Sequence, residues 1–252
     1  MRRFLTLALP ALLALLFSSC VTTDYGRLPQ TGFISHYEKN TDDRVPFVSY
    51  WDKISVQDWD NYVNRPRVIY LAPVTLEYFD NPPTDPAETE RLEDLRDYFD
   101  SRLEAELTKR AEKDPKLMFV RTPLPGAVRV EVAILSARPV NRAMLAAEDS
   151  ANFLINGAGW FIRKCTGADD ETGHIAMGAR LFDADGTLLC EVADFEYGTP
   201  SVTGELLFDT KDFRPYAYQR QTIDHWADEF ATLAATPYEK KVHRPTFTLN
   251  PF

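Results

Sequence analysis

The sequence predicts an α+β domain, with two amphipathic helices on one face of a mostly antiparallel sheet. Two observations predict this fold class: strand-like segments follow one another in consecutive runs, and two other segments repeat apolar residues at three- and four-residue spacing. The predicted order is β-α-β-β-insert-β-β-α. Hydrophobic residues make up 44% of the 252 residues and aromatic residues 12%, which is enough for a packed core and argues against a disordered chain.

The first predicted strand and the first predicted helix flank a break rich in proline. Residues 67–79 contain many β-branched and aromatic residues, which favour strands, and Pro73 marks an edge or a bulge because it has no N–H. A long helix is predicted over about 86–112, since Asp85 can cap it and Pro86 suits its first position. Its apolar stripe consists of Leu92, Leu95, Phe99, Leu103 and Leu107.

The second half of the chain predicts three longer strands and a final helix, after a short strand at 117–121. Apolar and other residues alternate over 128–134, as in a half-buried strand. Residues 173–182 and 188–195 are predicted to form a hairpin, because an Asp-Ala-Asp-Gly turn separates them. The helix is predicted over about 216–235, with a stripe of Ile223, Trp226, Ala227, Phe230, Leu233 and Ala234.

The N-terminus has the layout of a bacterial lipoprotein export signal. Two arginines precede a 14-residue apolar run at 4–17, which is too short to cross a membrane, where about 20 residues are needed. Small residues then lead to Cys20, and we expect cleavage before it and lipid on it. By resemblance to other lipoproteins, three acyl chains, palmitate among them, would hold the protein in the outer membrane, facing the periplasm. Simple secretion is the alternative.

The expected domain organisation follows from these elements. Residues 1–19 are the signal peptide and 20–31 a tether. An aromatic arm, 32–66, is expected to pack on the domain, because seven aromatic rings are too many for a solvated linker. A single α+β domain covers 67–235, and 236–252 form a C-terminal tail with three prolines.

Charge and cysteine content limit the classes of partner. Removal of the signal peptide takes Arg2 and Arg3 away and moves the formal net charge from −10 to −12, so we expect no nucleic acid partner, and membrane contact only through the lipid on Cys20. Cys165 and Cys190 remain, and the periplasm permits a disulfide between them. The alternative is a pair of buried, unreactive thiols.

The sequence contains no recognisable catalytic, metal-binding or cofactor-binding constellation. Zinc-finger, metalloprotease, serine-hydrolase, phosphate-loop and dinucleotide motifs are all missing from it. His225 and Glu229 are four residues apart on the last predicted helix and could share a metal, but we expect that face to be solvated. We therefore predict no catalytic residue, no metal and no cofactor.

The insert at 140–165 has no clear place in the strand pattern. It is expected either to pack into the core or to expose an apolar surface that binds a partner. The candidate partner surface consists of Phe153, Leu154, Ile155, Trp160, Phe161 and Ile162.

Several segments resemble an uncharacterised bacterial lipoprotein family, domain of unknown function 3313. The Gly-Phe-Ile-Ser-His-Tyr segment at 32–37 is similar to the entry segment of that family, and Tyr62 followed by 68–74 is similar to its first strand. The hairpin and the Trp-Ala pair of the last helix are similar too. The resemblance spans about 32–235 and implies an envelope lipoprotein, with no activity or catalytic residue to carry over.

We expect a periplasm-facing envelope lipoprotein that acts as a non-enzymatic binding or assembly module for another envelope protein. The absence of catalytic motifs, the lipid tether and the apolar insert favour this hypothesis. One alternative is a module that binds a small ligand or a lipid. A second alternative is an enzyme whose site the sequence does not reveal.

Overall fold

The computed structural model describes residues 28–42, 44–139, 173–197 and 216–235. Within them the chain forms an α+β fold with one six-stranded sheet and three helices, which confirms the predicted fold class. The strands are β1 Ser49–Asp52, β2 Arg67–Leu71, β3 Leu117–Val120, β4 Val128–Arg138, β5 His174–Phe182 and β6 Leu188–Tyr197. The helices are α1 Val56–Asn64, α2 Pro86–Ala111 and α3 Ala217–Ala235.

The sheet is mixed but mostly antiparallel, in the order β1-β6-β5-β4-β2-β3. β1, β6, β5 and β4 pair antiparallel, whereas β2 pairs parallel with both β4 and β3. The predicted hairpin joins β5 to β6: Asp183 N–H donates to the Thr187 carbonyl at 3.0 Å, and Gly186 adopts a φ of +88°. Such a φ is freely accessible to glycine, which explains its place in this turn.

The two long helices lie on one face of the sheet and bury its main core. Asp85 caps α2 by accepting from the Ala87 N–H at 3.1 Å, and Pro86 occupies the first turn, as predicted. The predicted α2 stripe is buried, and Phe99 packs on Trp226 of α3 with ring centroids 6.0 Å apart. The core therefore lies between the sheet and an α2–α3 pair.

The N-terminal segment covers the other face of the sheet. Leu28, Phe33 and Ile34 are buried there against small and apolar side chains of β4, β5 and β6. The approach is close because Gly178 of β5 faces the segment: a Cβ on Gly178 would lie 2.9 Å from the Phe33 ring. Leu28, which lies inside the segment predicted as a tether, is therefore in contact with the domain.

Three details differ from the sequence predictions. β2 ends at Leu71 and not at residue 79, because Pro73 has no N–H for the ladder; a single bridge from Thr75 to Ala133 continues the pairing. The arm contains β1 and α1, which were not predicted. On α3, His225 is exposed as expected, but Glu229 is buried, because it lies on the helix side next to Trp226 and Phe230 that turns toward the core.

Candidate functional site

Two buried carboxylates on β6 hold the arm against the domain. Glu191 accepts hydrogen bonds from the Ser35 and His36 backbone N–H groups at 3.0 and 2.8 Å, and its carboxylate lies 2.7 Å from His36 Nδ1. Asp194 accepts from the Val48 N–H at 3.1 Å. A buried carboxylate is stable only when it is well hydrogen-bonded, so these two side chains fix the path of the arm.

Backbone pairing and a short helix complete the attachment of the arm. β1 pairs with β6 from Ser49↔Ala193 to Asp52↔Cys190, so the arm becomes the edge strand of the sheet. α1 then begins after Ser55, whose hydroxyl accepts from the Asp58 N–H at 3.2 Å. Its two large aromatic side chains, Trp59 and Tyr62, are three residues apart and therefore share one side, with ring centroids 5.4 Å apart.

Arg67 at the start of β2 ties the end of α1 to the end of α3. Its guanidinium is buried and donates to the Val63 carbonyl at 2.7 Å and the Ala234 carbonyl at 3.1 Å. It also forms an ion pair with Asp114 at 2.8 Å. Burial alone would raise the pKa of the Asp114 carboxyl, but hydrogen bonds from the Lys116 N–H and from Arg67 outweigh it and lower that pKa. The Arg67 guanidinium thus supplies hydrogen-bond donors to one carbonyl at the end of α1 and one at the end of α3.

An apolar cavity of about 130 Å³ lies between the arm, the sheet and the last turns of α3. Five aromatic rings line it, four from the arm and one from α3; we call them the aromatic cage: Phe47, Tyr50, Trp59, Tyr62 and Phe230. Ile69, Val130, Leu181 and Val192 form its aliphatic floor on the sheet, beside the Cys190 thiol. Because these segments are far apart in the chain, only the folded arm creates the cavity.

Few polar groups reach the cavity. The Tyr50 hydroxyl donates to the Asp52 carboxylate, and both residues line the wall. Arg44 also lines it, but its guanidinium is engaged by Asp42, with Nε 2.6 Å from Oδ1. The Tyr62 hydroxyl is buried and has no hydrogen-bond partner among the described residues.

Burial keeps the tyrosine hydroxyls and the cysteine thiol of the cavity protonated. It raises the pKa of Tyr62 to about 12 and raises the pKa values of Tyr50 and Cys190 as well, with the neighbouring Asp52 carboxylate adding to the effect on the latter two. A protonated, buried thiol is a poor nucleophile and a poor metal ligand. The cavity thus offers aromatic faces, hydroxyl groups, one carboxylate and two arginines that have acidic partners. This set of groups suits binding.

A serine–histidine pair lies elsewhere, on β4 and β5. Ser136 Oγ is 2.7 Å from His174 Nε2, and the imidazole stacks on Phe195 with ring centroids 5.2 Å apart. The pair is a cross-strand contact in the sheet, and neither residue lines the cavity. In the described part of the chain, no group of three or more His, Cys, Asp or Glu side chains could hold a metal.

The structure places only one of the candidate site residues named from the sequence: Cys190, in the cavity wall. Cys20, Cys165 and the six residues of the candidate partner surface lie outside the described residues, so lipidation, the disulfide and that surface stay predictions. The sequence had singled out the arm for its aromatic content. It did not indicate that those rings enclose a cavity.

No described helix is long and apolar enough to cross a membrane.

Comparison with known proteins identifies one family. A family model described as "Protein of unknown function (DUF3313)" matches residues 30–230, which is more than half of the 252 residues. No curated protein sequence matches the chain. Among solved structures, a PelC dodecamer from Paraburkholderia phytofirmans is similar at 7% sequence identity and a TM-score of 0.33, covering 68% of this chain and 88% of that chain. A similarity this remote supports no argument about function.

Proposed function

This chain belongs to the DUF3313 family, and we propose that it is a lipid-anchored envelope protein that binds, without chemical conversion, a compact group with an apolar surface that belongs to another envelope component. The cavity lined by the aromatic cage is the observation that carries the proposal. An apolar cavity of about 150 Å³ engineered into another protein stays dry and binds benzene. A cavity of about 130 Å³ therefore suits a group of ring size.

This geometry favours the ligand-binding alternative over a flat protein-binding surface. Ligand sites are concave and mostly apolar, with a few polar groups that orient the ligand. The cavity has this composition: its polar groups are Asp52, the Tyr50 and Tyr62 hydroxyls, and two arginines with acidic partners, Arg44 and Arg180. The envelope component would present its apolar group to the cavity, so a ligand role and a partner role are compatible.

The proposed anchor brings the arm close to the membrane. Leu28 follows Cys20 by eight positions, and an extended chain spans at most about 29 Å over that length. Leu28, the first described residue, is in contact with the domain, and the contact continues into the arm. We propose outer-membrane attachment facing the periplasm, with the arm as the part of the domain nearest the lipid.

Replacement of Cys20 by serine should release the protein from the membrane. Serine cannot form the thioether through which the lipid is attached, and a chain without acyl groups loses about 0.8 kcal/mol for each CH₂ no longer buried. Cell fractionation and metabolic labelling with palmitate measure the two effects, with Cys190→Ser as the matched control that should keep both. Unchanged labelling and membrane association in the Cys20 variant would rule out the anchor.

Filling the cavity should abolish binding of compact apolar molecules. Ala234 lines the cavity from α3, and in an Ala234→Phe variant the new ring should occupy much of the space, with at least roughly tenfold weaker binding of toluene in ligand-detected NMR titrations. Ala105→Phe, at an exposed position of α2, is the control and should bind as the unmodified protein does. Equal binding by both variants, or no binding of any compact probe, would contradict the proposed function.

A further inference from the structure

We propose that the group accepted by the aromatic cage is a quaternary ammonium cation of the size of a trimethylammonium group. This inference rests on the proposed function, because it names the ligand class of the same cavity. It is carried by three features together: five aromatic rings, one carboxylate without a basic partner among the described residues, and a shortage of hydrogen-bond acceptors in the wall.

The rings provide the first feature. An aromatic face carries negative charge density, and a cation within about 6 Å of the ring centroid is attracted to it, most strongly where water is excluded. In the aromatic cage, Phe47 and Phe230 are paired at 4.8 Å between centroids, and Trp59 and Tyr62 at 5.4 Å. Tyr50 lines the same cavity. Several rings around one small volume are the usual arrangement for binding alkylated ammonium groups.

The charge of the wall provides the second feature. The charged side chains that line the cavity are Arg44, Asp52 and Arg180. Arg44 forms an ion pair with Asp42. The Arg180 guanidinium lies over the Phe33 ring, on the other face of the sheet, where it shares Glu131 with Arg129. The Asp52 carboxylate accepts a hydrogen bond from a neighbouring hydroxyl, and no basic side chain of the described residues pairs with it. One negative charge at the wall is left to balance a bound cation, and it would repel a fatty-acid carboxylate or a phosphate.

The shortage of acceptors provides the third feature and selects a quaternary ammonium over a primary one. A primary ammonium has three N–H donors, each of which must find an acceptor when it is buried. The aliphatic floor and the ring faces supply none, so most of those donors would lose their hydrogen bonds to water. A trimethylammonium group has no N–H, and its methyl groups gain from contact with apolar walls.

The inference is tested with choline and its neutral isostere, in which a tert-butyl group replaces the trimethylammonium group. The two have nearly the same shape, so the difference in affinity isolates the charge. We expect the purified protein to bind choline about tenfold more tightly than the isostere in NMR titrations of the ligand methyl signals. Equal affinities would overturn the inference and leave the proposed function intact, whereas no binding of either would contradict both.

Two substitutions in the cavity wall, Asp52→Asn and Trp59→Leu, test whether the preference for choline over its isostere arises in the cavity. Asp52→Asn removes the charge but keeps an oxygen for the Tyr50 hydroxyl, and it should weaken choline binding about fivefold without changing the affinity for the isostere. Asp80→Asn removes the same charge at an exposed position that does not line the cavity and should change neither. Trp59→Leu keeps the wall apolar and should also reduce the preference for choline. Thermal unfolding verifies that each variant is folded; retained preference in both cavity variants would overturn the inference.

The same chemistry occurs in free small molecules and in lipid headgroups, and vesicles distinguish these sources. The Cys20→Ser protein is used because it has no lipid of its own. Its capture by vesicles rich in phosphatidylcholine but not by vesicles rich in phosphatidylethanolamine, which is also zwitterionic, would assign the site to a lipid headgroup. Choline binding without vesicle capture would assign it to a soluble ligand.

Discussion

Replacement of Phe99 by alanine should lower the free energy of unfolding by about 3–5 kcal/mol, the usual cost of truncating a large buried aromatic residue. Phe99 lies in the middle of α2, is fully buried, and packs on Trp226 of α3. Its removal would leave a cavity where the two helices meet above the sheet. Since typical domains are stable by only about 5–15 kcal/mol, this variant should be close to unfolding.

Chemical denaturation monitored by circular dichroism measures the loss. Tyr98→Ala is an informative comparison, because Tyr98 is the neighbouring residue on α2, is only partly buried, and directs its hydroxyl to Asp224 at 2.7 Å. It should cost clearly less than Phe99→Ala. If Phe99→Ala lowered the free energy of unfolding by less than about 1 kcal/mol, Phe99 would not be packed in a core between α2, α3 and the sheet.

The parts of the fold that the sequence predicts are those with a local signal. α2 has a cap at Asp85, a proline at its first position and an uninterrupted apolar stripe, and all three occur as expected. The β5–β6 hairpin has alternating apolar residues on β5 and an Asp-Ala-Asp-Gly turn whose glycine adopts a positive φ. In each case one stretch of chain contains the whole pattern.

The parts that the sequence does not predict depend on contacts between distant segments. β1 has only four residues, and its Ser-Tyr-Trp-Asp sequence becomes a strand because it pairs with the edge of β6. α1 is a short, mostly polar helix, stabilised at its end by Arg67. The insertion of β2 between β3 and β4 is likewise a matter of tertiary pairing, since strand propensity carries no information on neighbours.

From the sequence, only the aromatic composition of the cavity wall could be predicted, and not the position of the cavity. The aromatic content of the arm shows that rings must be buried, but not where. Trp59 and Tyr62 come together because of helical spacing, whereas Phe230, on the last helix, lies more than 160 residues further along the chain. The role of Glu191 was also missed, because an acidic residue within a strand usually points to solvent. Its partners are backbone N–H groups, which no sequence pattern identifies.

Replacement of Glu191 by alanine should detach the first part of the arm and cost about 2–3 kcal/mol, because buried N–H groups lose a charged acceptor. Ser35 and His36 both donate to this carboxylate from the backbone, and the His36 ring binds it as well. Without it, the contacts of Phe33 and Ile34 with the sheet must hold this segment alone. Limited proteolysis should then cut between residues 35 and 48 well before the sheet and α2 are cleaved.

Two further variants separate loss of the carboxylate from general destabilisation. Glu191→Gln keeps an acceptor for one backbone N–H and should fall between the alanine variant and the unmodified protein in both stability and protection of the arm. Glu90→Ala removes an exposed carboxylate from α2 and should change neither. The arm also lines the cavity, so Glu191→Ala should weaken toluene binding although Glu191 itself does not line it. Protection of the arm equal to that of the unmodified protein would show that apolar burial of Phe33 and Ile34 holds it without this carboxylate.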